Sequence, residues 1–253
     1  MADAVDLMYL ARSARQWDDW RAQQGDRPAD LAGADLSGWN LAGWHLERAG
    51  LQGAQLDRAN LREANLQHIQ GLGLRAVAAI LTGARLHQGT VAAADFHGAD
   101  LRYADLREVS GAGASFTDAD LRGANASGGQ FARSTWHHAR AQGTLLHDAV
   151  LDRSQAISAE FIQLQAHRLR ARELRADRSH WANAHLTEAS LIGASLIEAD
   201  FSWANLSDAN FSGADLRGAN FRGANLCRAD FRGANLADAD FSLCVVIGTR
   251  WND

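Results

Sequence analysis

The chain has 253 residues and a formal charge of −5, with 47% apolar and 22% charged residues, 23 glycines and a single proline. This balance excludes a disordered tail, and no apolar run is long enough to span a bilayer. All 25 basic residues are Arg, but the net charge has the wrong sign for a basic nucleic-acid-binding surface, so direct nucleic-acid binding is not expected.

The first predicted element is an amphipathic helix over residues 3–24. Leu7, Leu10, Ala11, Ala14 and Trp17 recur at helical spacing, and Gly25 and Pro28 are stop signals. It is expected to cap the open end of the structure that follows, so the chain divides into a capping helix and linker (1–28) and a repeat domain (29–253). Met1-Ala2-Asp3-Ala4-Val5-Asp6 lacks the basic start of a signal peptide, which makes a cytoplasmic protein the expectation. Cys227 and Cys244 occupy different repeat positions, so no disulfide is expected.

From Leu31 to Trp251 every fifth position falls in one phase, and most of these positions hold Leu or Phe. A period of five belongs to neither a helix nor an ordinary strand, so the chain must turn a corner in each repeat. Writing the large residue as position i, position i−2 is usually Ala, as at Ala54, Ala99, Ala124, Ala204 and Ala239. Residues two apart in extended chain face the same way, so both point inward. Where i is small the volume moves to i−2: Ile69 precedes Gly71, Leu74 precedes Ala76, Val109 precedes Gly111, and Leu164, Leu169 and Leu174 precede Ala166, Ala171 and Ala176. Close packing requires such compensation. The stretches 69–81 and 164–181 are therefore expected to remain in the coil. Trp39 and Trp44 break the pattern at i−2 and imply either wide first coils or rings leaning out beneath the cap. At the far end Leu243, Val245 and Ile247 add apolar character to Val246 and Trp251. A homodimer through Val245, Val246, Ile247 and Trp251 is the expected way to bury such an edge.

Runs such as Ala34-Asp35-Leu36-Ser37-Gly38 and Ala214-Asp215-Leu216-Arg217-Gly218 resemble the pentapeptide-repeat family, and the resemblance extends from about Ala29 to Trp251. It implies an all-β solenoid, a right-handed quadrilateral β-helix in which four repeats close one coil and every twentieth residue stacks on one face. At strand spacing, about eleven coils would make a rod on the order of 50 Å long. The chain is also similar to family members that bind type II topoisomerases such as DNA gyrase, which implies a DNA-mimicking rod that inhibits the enzyme or protects it from inhibitors.

Outward positions are i−1, i+1 and i+2. One i−1 column carries Asp100, Asp120, Glu160 and Asp200, interrupted by Arg140 and His180. It reads either as an imitation of a phosphate row or as short polar side chains bonding the backbone at corners. Ile157, Ile192 and Ile197 occupy i+1 positions and together suggest an apolar patch for a partner. His147 and His167 stack in one column, but no Cys or carboxylate column completes a ligand set, so no metal or cofactor is expected. No nucleophile beside a base, phosphate loop or convergent carboxylate pair is present, so an enzyme is not expected. The functional expectation is a non-enzymatic protein-interaction or scaffold protein using flat β-helix faces. The DNA-mimicking rod that binds gyrase is the alternative.

Overall fold

The computed structural model describes residues 2–25 and 27–251. Two helices precede the repeat, α1 (Ala4–Leu10) and α2 (Ala14–Gln23), where the sequence predicts one. The break falls at Ala11 to Ser13 because Ser13 turns extended and its hydroxyl accepts from the Gln16 N–H at 3.3 Å, starting a new helix.

From Asp30 to Arg250 the chain winds in a parallel coil in which each bridging residue pairs with the one 20 positions on. Four such ladders run the length of the molecule, giving a four-sided rod of about 50 Å at ~4.8 Å per coil. The sides begin at Asp30, Asp35, Asn40 and His45 and are called first to fourth here. Pairing is confined to one residue per repeat and forms isolated bridges. Most of each pentapeptide is spent on its corner: Ala34 N–H donates to Leu31 O at 3.1 Å, closing a turn whose third residue, Gly33, has φ 69°.

The core is a filled column of i and i−2 side chains with aromatic stacks along it, such as Phe211 on Phe231 at 5.0 Å and Phe201 on Phe221 at 5.2 Å. The compensated stretches stay inside. Ile69, Leu74, Leu164, Leu169 and Leu174 are all buried, and the ladders continue through 69–81 and 164–181. The small positions Gly111 and Gly129 are filled by one ring: a Cβ at either would come within 2.7 Å of Phe131 carbons.

The helices cover the first coil. Trp17, buried, donates its indole N–H to His45 O at 2.6 Å and packs beside Trp44 with ring centroids 6.3 Å apart. Trp44 thus leans out beneath α2, the second of the two arrangements its position allows. Asp6, fully buried, accepts from the Asp30 N–H at 2.6 Å and faces Arg27. Burial raises its pKa against the pull of those donors.

Candidate interaction surface

The coil satisfies four of the five N–H groups in a repeat through its own backbone. Leu31 and Gly33 donate to Gly50 O and Gln52 O of the next coil, Ala34 closes the turn, and Gln55 donates back to Ala34 O. The i+1 N–H is left over at the corner. An Asp or Asn at i−1 takes it: Asp30 Oδ1 accepts from Ala32 at 3.0 Å, Asp95 from His97 at 3.0 Å, and Asn210 from Ser212 at 2.9 Å. This Asx latch is the physical reason for the acidic and amide residues at i−1.

The ladders bring Asp100, Asp120, Arg140, Glu160, His180 and Asp200 together as one column of the third side. It is not a bare acidic row. Arg102 grips Asp100 with two hydrogen bonds, at 2.8 and 2.7 Å, and its hydrogen bonding holds that carboxyl at about 2. Arg122 grips Asp120 at 2.8 and 2.6 Å; burial pushes that pKa up, and the Arg122 hydrogen bonds outweigh it. Arg140 lies between Asp120 and Glu160, 3.7 and 3.8 Å from them. Asp200 serves as a latch for Ser202.

The structure does not join the three isoleucines into one patch. Each is half-buried, and Asp177 stands between Ile157 and Ile197 in their column, accepting from the Ile197 N–H at 3.1 Å. Ile192 belongs to the first side, around the corner. His147 and His167 do stack, but His147 Nδ1 accepts from the His167 N–H at 3.3 Å, which gives the pair a backbone role. Burial, then the neighbouring His167, lowers the His147 pKa. Among the described residues no cluster of three His, Cys, Asp or Glu side chains is placed to hold a metal.

On the last coil Val245, Val246, Ile247 and Trp251 are exposed, Ile247 at 74%. The two cysteines are unpaired. Two exposed aromatics escaped sequence reasoning: Tyr103 (70%) and Trp203 (59%), both at i+2. The signal was available, since i+2 is a left-handed corner, with φ 58° and 59° at these residues, and cannot point inward. Among the described residues no helix is long and apolar enough to cross a membrane.

A sequence profile of Pentapeptide repeats matches in eight copies, across residues 29–67, 79–110, 94–135, 177–208 and 209–245. No curated protein matches the chain. Among solved structures it is similar to HetL, a pentapeptide repeat protein involved in heterocyst differentiation regulation in the cyanobacterium Nostoc sp. strain PCC 7120. That likeness has 23% identity and a TM-score of 0.39, over 91% of this chain and 94% of that one. It is also similar to trypsin-treated M102R QnrB1, a plasmid-mediated fluoroquinolone resistance protein, at 19% identity and a TM-score of 0.42, over 85% and 90% of the two chains. At these values neither likeness assigns a partner to this chain.

Proposed function

This chain belongs to the pentapeptide-repeat family, and we propose that it is a non-enzymatic protein-binding or scaffold protein whose partners read the flat sides of a right-handed β-helix. One observation supports the reading above others: unbroken ladders from Asp30 to Arg250 hold the outward side chains in columns at strand spacing. Side chains fixed in this way lose little conformational entropy on docking. The test is capture of a partner from cell extract, then direct binding of that purified partner to variants altered on one side at a time. Binding lost on one side and kept on the opposite side supports the reading. Binding that no surface variant changes sinks it.

The gyrase-binding DNA mimic stands second. The third-side acid column and the net charge of −5 favour it, while the Arg102 and Arg122 clamps count against it because they neutralise the two acids at its head. Titration into a gyrase supercoiling assay, with and without a fluoroquinolone and at two salt concentrations, separates the readings. Salt-sensitive inhibition or protection, lost with Asp200→Asn, would install the mimic; no effect at large excess removes it. End-to-end pairing through Val245, Val246, Ile247 and Trp251 is part of the same proposal. Ile247→Arg is expected to abolish it in sedimentation velocity.

A further inference from the structure

Tyr103 and Trp203 occupy one column. The hydrogen bonds Tyr103 N to Arg122 O, Gly123 N to Gln142 O, and onward through Asn183 N to Ser202 O step coil by coil between them. They are five coils apart, about 24 Å. Both rings lie down on the surface over the glycine of the following coil: a Cβ at Gly123 would sit 2.7 Å from Tyr103 Cε1, and one at Gly223 would sit 2.7 Å from Trp203 Cδ2. Each aromatic therefore presents a flat, exposed face, fixed in place by a residue that has no side chain.

We propose that a second copy of this chain covers this strip, in an antiparallel side-by-side dimer. A two-fold axis parallel to the third side and just outside it, at right angles to the rod and level with the midpoint between Gly123 and Gly223, lays the Tyr103 ring on the partner's Trp203. By symmetry the same contact forms twice. Leu243, exposed in the same column, extends each contact at its end.

Charge sets the register. With the axis at that level, Arg140 opposes the partner's Asp200 and Glu160 opposes the partner's His180, while Ile162 meets the partner's Ala182 at the centre. Sliding the copies by one coil in one direction sets Glu160 against the partner's Glu160 and Asp120 against the partner's Asp200. Sliding them the other way sets Glu160 against the partner's Asp200. Opposed unlike charges favour the first register, and like charges penalise both neighbours. Like charges meet only near the ends, where Arg122 faces the partner's Arg222 and Asp100 faces the partner's Asp240. There Asp120 already holds Arg122 and Arg102 already holds Asp100. One narrow strip of a rod is at the small end of stable interfaces, so dissociation in the micromolar range is expected.

The experiment is sedimentation velocity and small-angle scattering on the full chain from about 1 to 200 μM, with Trp203→Ala, Arg140→Glu, Arg140→Glu/Asp200→Arg and Ile247→Arg variants. A dimer whose maximum dimension stays close to that of a single rod is expected, and it should persist in Ile247→Arg, where the end-to-end contact is removed. Trp203→Ala should raise the dissociation constant at least tenfold. Arg140→Glu should weaken the dimer and the double variant restore it. The proposal is overturned if Ile247→Arg is monomeric throughout, if the dimer is twice the length of a rod, or if Trp203→Ala associates as the parent does. Trp203 is exposed, so unchanged thermal melting of its variant serves as the folding control.

Discussion

From Asp200 to Asp240 every i−1 residue is Asp or Asn, and each accepts the left-over i+1 N–H of its own corner, from Ser202 through Ser242. From Gln130 to Ser195 no i−1 residue is Asp or Asn. The backbone is the same in both regions. In the middle coils some of the acceptors are the i+1 side chains of the preceding coil: His137 for Ile157, His147 for His167, Asp152 for Arg172 and Asp177 for Ile197. The core differs too. The late coils pair Ala with alternating Phe and Leu, while the middle coils bury Ser134, Thr144, Ser154 and Ser179. The comparison teaches that the ladder needs inward volume and a satisfied corner donor, and accepts more than one chemistry for each. The sequence profile breaks off at 135, close to where the Asx residues stop, and resumes at 177, before they return at Asp200, although the coil does not change at either point.

The sharpest break in the comparison is expected from overpacking the middle. Gly129→Ala drives a Cβ into the Phe131 ring and to 2.9 Å from Ala126 O, and should cost about 3 kcal/mol in urea unfolding. Ala209→Gly, at the matching i−2 position of a late coil, should cost only about 1 kcal/mol through chain entropy. Equal costs would show that the two cores tolerate volume change alike.

The buried hydroxyls have a definite purpose. Trp136 and Trp181 donate their indole N–H groups to Ser134 Oγ and Ser179 Oγ, each at 2.6 Å. Ser179→Ala should cost about 2 kcal/mol by orphaning the Trp181 donor, and should cost much less in a Trp181→Phe background, where that donor is gone. An unchanged cost in the double variant would assign the serine to its other bond, the one it donates to Ala176 O.

Acid should act on the latched coils first. The hydrogen bonds of Arg102 depress the Asp100 pKa to about 2, below its ordinary value, so its contribution is present above about pH 4 and is lost as pH falls toward 2. Asp100→Asn keeps an oxygen for the Arg102 N–H but gives up the ion pair. It should lower stability at pH 7 by about 1 kcal/mol after allowance for solvent screening, and flatten the loss between pH 4 and pH 2. Thermal melts of the two proteins across that range check both effects.

Much of this was legible in the sequence because inward positions carry the volume rule on their face. Leu164 before Ala166 keeps the phase, and the coil followed it. The helix break was missed, although its signal was there: Ser13 with Gln16 three residues later is a capping-box pattern. The neutralised acids were foreshadowed by Asp100-Leu101-Arg102, in which positions i−1 and i+1 flank one corner. The isoleucine patch was not legible, because whether Asp177 projects as a charge or folds back onto the Ile197 N–H depends on the neighbouring coil.

The smallest expected effect tests whether the two chemistries are interchangeable. The Ile192 N–H has no acceptor among the described residues, and the Ser190 hydroxyl beside it is buried without a partner. Ser190 sits in the first-side ladder directly before Asn210, which already latches Ser212. Ser190→Asn would place an amide oxygen where the late coils keep one, and should stabilise the protein by about 0.5–1 kcal/mol, with slower amide exchange at Ile192. A neutral or destabilising result would mean that the middle coils differ in corner geometry as well as in residue type, and that the latch works only where Asx residues follow one another from coil to coil.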